Sequence, residues 1–211
     1  EWFLDFRFPG REGVALVDSS LGPVPERWTV ESLGRSVDVD KGVSYKGEYL
    51  TDDGTPMVNL KCFRPEGGFS SDGLKGYSGP LKQHQLVKPG EVVVANTDLT
   101  QAGNIVGSAG IVPCVDGVET MAFTHHVYAV RPKISAGLPS LYLYHLLLTP
   151  EYKAFARGRA IGTTVLGLAR EGVLDFLYAR PPRSLMETFE GTARDLYELT
   201  QNLLARIALA R

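Results

Sequence analysis

Three closely spaced glycines follow an apolar run in the middle of the chain, an arrangement that can cradle a phosphate group. The run is "EVVVA", and the glycines are Gly103, Gly107 and Gly110. A dinucleotide loop needs its glycines in the first turn after the strand, followed by a helix whose N-terminal amides meet the pyrophosphate. Here Asn96 to Gln101 intervene, and the residues after the glycines read as another strand. The spacing therefore argues against a nucleotide site, and a turn-rich strand connection is the simpler interpretation.

The segment between that run and the glycines, "NTDLTQ", is dense in side chains that donate and accept hydrogen bonds. Asn and Gln can pair bidentately with adenine, and Thr can contact bases or phosphates. This segment is therefore a candidate for contact with nucleic acid rather than with a cofactor.

Adjacent histidines, His125-His126, raise the question of a metal site. Neighbouring residues in a strand point to opposite faces, so the two rings cannot easily share an ion. His84 and His145 have no ligand-like neighbours in sequence. We therefore predict no metal site and no cofactor.

Two short patterns resemble parts of DNA-modifying enzymes. Glu151-Tyr152-Lys153 spells the E-x-K of many nucleases, but it follows Pro150 at a helix start, where the macrodipole favours Glu. Adenine methyltransferases hold the flipped base with an Asn/Asp-Pro-Pro-aromatic loop. The double proline here is "RPPR", without the acid or the aromatic residue. With no plausible nucleophile beside a base, we expect that the chain catalyses nothing alone.

Composition is that of an ordinary globular protein of 211 residues, with 44% hydrophobic and 22% charged residues. The net charge of −2 argues against a wholly basic nucleic-acid protein but permits a local basic face. No apolar run is long enough to cross a bilayer, and the first residues lack the order of a signal peptide. The sequence is compatible with a disulfide between Cys62 and Cys114, but nothing in it requires an oxidising compartment. We expect a cytoplasmic protein.

The pattern of residues predicts an α+β chain, with a β-rich region from Trp28 to Pro132 and helices after Gly137. The predicted strands are "MVNLKCF", "EVVVA", "GIVPCV" and "TMAFTHHVYAV". Residues 64–80 are rich in glycine and serine and are expected to form a long loop. The helical part is split at Thr149-Pro150, and a loop, a short helix and a last strand then lead to Pro181-Pro182.

A long helix is predicted from Arg183 to Arg211, about 43 Å at 1.5 Å per residue. Its apolar residues recur in alternating steps of four and three, which is the heptad spacing of a coiled-coil seam. The seam residues are Leu185, Phe189, Leu196, Leu199 and Leu203, with Thr192 filling the gap. The seam requires a partner helix or bundle. The alternative is a terminal helix that folds back onto its own domain.

In this order, the motifs resemble the second target recognition domain and C-terminal long helix of type I restriction-modification specificity subunits. "EWFLDFRFPG" is similar to the WF-x-DF end of their central helix, and "LGPVPERWTVESLG" to the entry of that domain. "VKPGEVVVANTDLTQAGNIVG" resembles its proline-glycine-aspartate strand, with Glu91 in place of Asp. The residues from "LYLYHLLL" to "ARPP" resemble its closing region.

The resemblance implies a non-catalytic subunit that binds double-stranded DNA and reads one half of a split target sequence. In this family two recognition domains are separated by two long antiparallel helices that fix the gap. The helices hold methyltransferase subunits, which use S-adenosylmethionine, and the complex can recruit a restriction subunit. This chain looks like one half: a connector (1–22), a recognition domain (23–182) and a spacer helix (183–211). We expect either a fragment, or a half-sized subunit that pairs with its own copy or with a second specificity half.

Polar and basic residues on the predicted loops are the candidates for DNA contact, because lysine and arginine position a protein on phosphates and a smaller set reads base edges. The predicted contact residues are Tyr45, Lys46, Lys61, Arg64, Lys75, Tyr77, Thr97, Asp98, Thr100, Gln101, Asn104, Arg157, Arg159, Thr163 and Thr164. Around the Gly162 turn, a freed helix end and two hydroxyls could hold a phosphate.

Two other functions compete with this one. The chain can be the recognition end of a fused type II restriction-methylation enzyme, or an interaction scaffold without a DNA role that is built on the heptad helix. A methylase motif upstream in the same reading frame would favour the first, and no retention on DNA at low salt would favour the second.

Overall fold

Short strands make up most of the first two thirds of the chain. The structure, a computed structural model, describes residues 2–100 and 102–209, without the side chains of residues 204, 205 and 207–209. In these residues the strands are β1 (Leu16–Val17), β2 (Val24–Pro25), β3 (Thr29–Ser32), β4 (Val37–Lys41), β5 (Leu50–Thr51), β6 (Thr55–Val58), β7 (Lys75–Tyr77), β8 (Leu86–Val87), β9 (Val92–Ala95), β10 (Thr97–Asp98), β11 (Ala109–Ile111), β12 (Met121–Phe123), β13 (Val127–Pro132), β14 (Leu166–Gly167) and β15 (Leu177–Arg180).

The α-helices follow the β-rich region. They are α1 (Ser140–Leu147), α2 (Pro150–Arg159), α3 (Glu171–Leu174) and α4 (Arg183–Leu209). The break between α1 and α2 lies at Thr149, whose hydroxyl accepts a hydrogen bond from the Tyr152 N–H at 3.3 Å, and Pro150 begins α2. Both features are typical of a helix start, since a capping oxygen satisfies a free amide and proline needs none. The predicted helix pair is confirmed, and Glu151 lies in the first turn of α2.

Two sheets form the centre of the β-rich region. The first has the strand order β11-β9-β13-β4 and is antiparallel throughout. The second has the order β5-β7-β6-β12-β8, in which β6 and β12 run parallel. Smaller two-stranded pairs are β1 with β2, β10 with β14, and β3 with β15. The α+β fold class, a β-rich head with a long C-terminal helix, is confirmed.

Strand β9 is buried on both faces, which explains its continuous apolar sequence. Val92 and Val94 belong to one core cluster, shared with residues of the helices. Val93 and Ala95 belong to a second cluster, shared with strands β6, β8 and β12 of the other sheet. A strand that is covered on both sides loses the alternation of apolar and polar residues. The head therefore has three layers, with helices, the first sheet and the second sheet in that order.

The first half of α4 packs against the head and against the N-terminal residues. Met186 and Ala193 are buried, and the Phe189 ring lies 5.1 Å from the Phe3 ring and 5.8 Å from the Tyr142 ring. The helix has 27 residues, which corresponds to about 40 Å.

The second half of α4 exposes a row of leucines. Leu196, Leu199 and Leu203 are 61%, 56% and 50% exposed. The first half of α4 therefore folds onto its own domain, as in the alternative interpretation. The second half leaves the predicted seam uncovered.

Glu91, the acid of the proline-glycine motif, has a structural role. One carboxylate oxygen accepts a hydrogen bond from the Lys88 N–H at 2.6 Å, which closes the Pro89-Gly90 turn. The other accepts from the Arg131 side chain at 2.8 Å. An acid at this position therefore ties the turn before β9 to the neighbouring strand β13.

Several expectations for the β-rich region are wrong. The strand predicted over residues 120–130 is divided by a turn into β12 and β13, and the strand predicted over residues 110–115 ends at Ile111. Residues 57–63 were expected to form one alternating strand, but β6 ends at Val58 and a 3-10 turn follows over Leu60–Cys62. The Asn59 side chain causes this change, because it accepts from the Lys61 N–H at 2.9 Å and donates to the distant Gly73 carbonyl. The glycine-rich segment 64–80 is not one loop, since it contains β7, which pairs with β5 and β6.

The two cysteines are free, with Cys62 buried and Cys114 exposed. Burial raises the pKa of Cys62 to about 11, so its thiol stays protonated at neutral pH. Among the described residues, no helix combines the length and the apolar character that crossing a membrane requires.

Candidate nucleic-acid interface

The ends of five strands meet along one edge of the two sheets. β13 begins at Val127, opposite Ala95 at the end of β9, and its next residue is opposite Lys41 at the end of β4. In the other sheet, β12 ends at Phe123 beside Val58, the last residue of β6. The segments that continue from these strand ends, here termed the loop edge, are residues 42–46, 59–61, 96–106 and 124–126. The fold thus brings together loops that are far apart in sequence.

One buried carboxylate organises the polar loop after β9. Asp98 accepts hydrogen bonds from the N–H and the hydroxyl of Thr100, both at 2.8 Å, and from the Ile105 N–H at 2.8 Å. Burial acts to raise the pKa of Asp98, but these hydrogen bonds outweigh burial, and the pKa lies below its ordinary value. The ionised carboxylate therefore holds the loop in one shape, with Thr100 and Asn104 exposed at its surface.

A tight turn lies beside this loop, because β10 pairs with β14 and a further bridge joins Ile161 to Gly167. Gly162 in this turn has φ 147°, and a Cβ there would lie 1.9 Å from the Val165 carbonyl oxygen. Glycine is therefore required at this position. The predicted contact residues on the turn, both exposed, are Thr163 and Thr164.

The expectation that a freed helix end would help to hold phosphate at this turn is wrong. The turn follows the C-terminal end of α2, which is Arg159. A helix C-terminus carries partial negative charge and repels an anion. The helix end therefore offers no attraction for a phosphate at this turn.

The basic residues of α2 separate into two groups. Arg157 donates to the Ala102 carbonyl at 2.7 Å, and Lys153 donates to the Ser108 hydroxyl at 2.7 Å, so both lie against the loop after β9. Burial, and then the charge of Arg157, lowers the pKa of Lys153, although Asp98 opposes this. Arg159 instead pairs with Asp175 at 3.2 Å, away from this loop.

Further basic residues lie on the loop edge or next to it. Lys46 is exposed and pairs loosely with Glu48 at 3.8 Å. Lys61 is exposed on the turn after β6, and Lys75 is exposed on β7, opposite Met57 near the end of β6. Tyr45 is half-buried, and its ring lies 6.4 Å from the Tyr77 ring.

Several predicted contact residues are not brought to this surface. Tyr77, Thr97 and Asp98 are 3%, 7% and 3% exposed, so their side chains belong to the interior and cannot reach a duplex in this conformation. Arg64 is exposed, and it lies in the segment whose Gly68 N–H donates to the carbonyl of Ala109, at the start of β11. Gln101 lies outside the described residues.

The loop edge also contains two histidines that the predicted contacts did not include. His125 and His126 form a turn between β12 and β13, and their ring centroids are 3.8 Å apart. The premise that they point to opposite faces of a strand is therefore wrong. In the described part of the chain, no group of three or more histidines, cysteines or acids is placed to hold a metal ion. The sequence carried a signal for this turn. The stretch "TMAFTHHVYAV" is longer than an average strand, and the polar His125 and His126 interrupt it.

No protein-family model and no curated protein matches this sequence. Solved structures do match its fold. One is a chain of a type I R-M system described for its complex assembly and conformational transition, with a TM-score of 0.60, 18% identity, and coverage of 98% of this chain and 45% of that chain.

Two further matches are crystal structures of single subunits. The type I restriction-modification S subunit from M. genitalium has a TM-score of 0.62 and 14% identity, with coverage of 86% of this chain and 42% of that chain. The HsdS subunit from Thermoanaerobacter tengcongensis has a TM-score of 0.58 and 15% identity, with coverage of 90% of this chain and 42% of that chain.

The chain therefore spans less than half the length of each matched structure. At these identities the likeness concerns the fold, and at that level the resemblance predicted from the motifs is confirmed. A β-rich head and a long helix, matched over nearly the whole chain, give this protein the fold of type I restriction-modification specificity subunits.

Proposed function

We propose that this chain recognises a specific DNA sequence and reads one half of a split target as part of a type I specificity subunit. The observation that carries the proposal is the fold match over 98% of the chain to a type I R-M structure. The chain itself would be non-catalytic, and the methyltransferase subunits would supply the chemistry and the S-adenosylmethionine.

The proposed DNA-contacting surface consists of the loop edge together with the adjoining residues of β7, α2 and the Gly162 turn. Its loops carry exposed cations, neutral hydrogen-bonding groups and one carboxylate, Asp98, that is already satisfied inside its own loop. Cations contact phosphates and fix the register of a protein on a duplex, whereas amides and hydroxyls read base edges. We assign Lys46, Lys61, Lys75 and Arg157 to phosphates. We assign Thr100, Asn104, Thr163 and Thr164 to bases or sugar-phosphate oxygens.

The rigidity of these loops supports the proposal. The Asp98 carboxylate and the Arg157 guanidinium both hold the loop after β9, and Gly162 holds the neighbouring turn. Ordering a flexible loop on binding costs free energy, so a loop that is fixed beforehand binds more tightly and more selectively. A surface for sequence readout benefits from such preorganisation.

The exposed half of α4 is the proposed contact with other subunits. Leu196, Leu199 and Leu203 form an uncovered apolar row that fits another helix. The partner would be a second specificity half or a second copy of this chain, and methyltransferase subunits would bind the resulting helix pair. A division into residues 1–22, 23–182 and 183–211 follows from this assignment.

A fused type II restriction-methylation enzyme is not favoured as the source of this chain, because the matched structures are type I systems and S subunits. A scaffold without a DNA role would leave the cations and hydrogen-bonding groups of the loop edge without a purpose.

Selection from a random double-stranded DNA pool tests the proposal directly. We expect one enriched motif, and an affinity that falls by at least ~10-fold between ~50 mM and ~200 mM salt. The variant Lys46→Ala with Lys61→Ala should bind all sequences more weakly. Arg35→Ala is the control, because Arg35 is exposed and precedes β4 at the end opposite Lys41. An absence of enrichment, together with no retention on DNA at low salt, would overturn the proposal.

A second experiment tests the link to methylation. Methylated adenines are mapped in cells that carry the gene and in cells that lack it. We expect one split motif to lose its methylation when the gene is removed. An unchanged methylation pattern would contradict the assignment to a methyltransferase complex.

A further inference from the structure

A chain of hydrogen bonds connects the histidine turn to the polar loop after β9. The Asn96 side-chain amide donates to the His125 carbonyl at 3.0 Å. The Thr97 hydroxyl donates to the Asn96 side-chain oxygen at 2.8 Å. His126 Nδ1 lies 3.1 Å from the Thr97 hydroxyl oxygen. The backbone reinforces this link, because the Asn96 N–H donates to the His126 carbonyl at 2.9 Å.

This chain of hydrogen bonds determines which nitrogen of His126 carries the proton. The Asn96 amide nitrogen must face the His125 carbonyl, since its oxygen there would oppose another oxygen. The Thr97 hydroxyl has a single proton, and it is used on the Asn96 oxygen. Its oxygen can therefore only accept from His126, so the proton of the neutral ring is on Nδ1. Nε2 is then the nitrogen with the free lone pair.

Nε2 of His126 is available to a ligand at the loop edge. In residues 2–100 and 102–209, the hydrogen bonds of this ring involve Nδ1, and Nε2 is not among the buried polar atoms without a partner. The ring is partly exposed, at the junction between the two sheets where Val43 bridges to Thr124. It thus lies between the proposed contact residues of the first sheet and those of the second.

The neighbouring groups favour the neutral ring. Burial, then His125 and then Lys41 lower the pKa of His126, so at neutral pH Nε2 is an acceptor and not a donor. The His125 ring lies against this ring at a tilt of 40°, and burial chiefly lowers the pKa of His125, which favours its neutral form as well. The nearby carboxylate, Asp98, is engaged by Thr100 and Ile105. The ring therefore presents a fixed, uncharged acceptor.

We propose that His126 is a specificity-determining residue whose Nε2 accepts a hydrogen bond from the exocyclic amino group of an adenine or a cytosine in the major groove. In that groove, only adenine N6 and cytosine N4 are donors. A thymine or a guanine at the same place would present an acceptor to an acceptor. The inference rests on the proposed function, since it names the base class that the loop edge prefers at one position.

His126→Asn separates this readout from the role of the ring in the fold. The shorter amide can replace Nδ1 toward Thr97, but it removes the Nε2 acceptor. Wild type and His126→Asn are each used to select from a random duplex pool. We expect the variant to keep the motif except at one position, where the preference for adenine or cytosine is lost. His84→Asn is the matched control, because His84 is exposed and lies outside the loop edge, and its motif should equal that of the wild type.

The same position is then tested by deleting the amino group from the DNA. Purine replaces adenine there, or pyrimidin-2-one replaces cytosine. We expect this replacement to weaken binding of the wild type by about 5- to 100-fold, the range for leaving one hydrogen-bond acceptor of an interface without its partner, and to leave binding of His126→Asn unchanged. If both proteins select the same motif, or if both lose the same affinity on deletion of the amino group, the assignment of His126 is overturned while DNA recognition stands. If the wild type selects no motif, DNA recognition and this inference fall together.

Discussion

The carboxylate of Glu190, in the long helix, accepts a hydrogen bond from the Leu141 N–H at 2.9 Å, and it accepts a second from Tyr142 at 3.1 Å. These two amides belong to the first turn of α1, which has no cap from its own N-cap side chain. A negative charge at a helix N-terminus is favoured by the helix dipole. The long helix therefore caps a helix of the head, and the direction in which it leaves the head is tied to that contact.

We expect Glu190→Ala to lower the free energy of unfolding by about 2 kcal/mol, because two amides lose a charged acceptor that is largely buried. For a chain of this size that corresponds to a fall in Tm of about 4–8 °C. Glu187→Ala is the control, since its carboxylate pairs with Arg183 in solvent and should be worth about 0.5 kcal/mol or less. Thermal unfolding of the three proteins measures this, and equal losses for the two variants would contradict the capping role.

Asp98→Asn should destabilise the chain in a pH-dependent manner. The folded pKa of Asp98 lies below the ordinary value of 3.8, so the ionised carboxylate stabilises the fold above about pH 4. That contribution is lost as the pH falls through the folded pKa. We expect the variant to be about 2 kcal/mol less stable at pH 7, with a difference from the wild type that shrinks below pH 4.

Denaturant titrations at several pH values test this expectation. Asp116→Asn is the control, because Asp116 is exposed in the turn between β11 and β12 and should show little difference at any pH. A difference between wild type and Asp98→Asn that stayed constant down to pH 2 would show that the charge of Asp98 is not what holds the loop.

Arg157 and Arg159 provide a paired test of the proposed DNA surface. They are two residues apart on α2, but Arg157 contacts the loop after β9, whereas Arg159 pairs with Asp175. We expect Arg157→Ala to reduce the slope of log affinity against log salt by about 1, as the loss of one phosphate contact should. Arg159→Ala should leave this slope nearly unchanged. The reverse result would place the DNA on the other side of α2.

Leu199→Glu tests the exposed row of α4. Leu199 is 56% exposed, so the substitution should leave the stability of the isolated chain almost unaltered. It should abolish pairing with another helix, because a charge would be buried in the seam. Sedimentation of the chain, alone and with the methyltransferase subunit, measures the pairing. Leu16→Glu is the control, since Leu16 is also exposed, at 50%, but lies in β1. Equal sedimentation of the two variants would argue against a partner at this row.

The helical part of the chain was predictable from the sequence because its signals are local. Each of these signals acts over a few residues. The structure has helix boundaries at the Thr149-Pro150 break and at the double proline before Arg183, and the residues with heptad spacing lie within α4. Capping and proline geometry depend little on the rest of the fold. The family likeness, which depended on the order of such motifs, also agreed with the fold.

The β-rich part was less predictable because its contacts join distant residues. Asn59 ends β6 by bonding to Gly73, and β7 arises within a glycine-rich segment because β5 and β6 lie beside it. Neither partner is visible in a local window. For the same reason, Thr97 and Asp98 looked like exposed loop residues, although pairing with β14 and the demands of the loop bury them.

By itself, the sequence determined the fold class, the split helices, the long apolar row and the concentration of polar residues after β9, since these follow from periodicity and from the chemistry of single residues. Only the tertiary structure decided which loops meet at one edge, which half of the long helix is left uncovered, and that His126 belongs with Thr97. Those relationships depend on strand register and on packing between residues far apart in the chain. No local pattern encodes them.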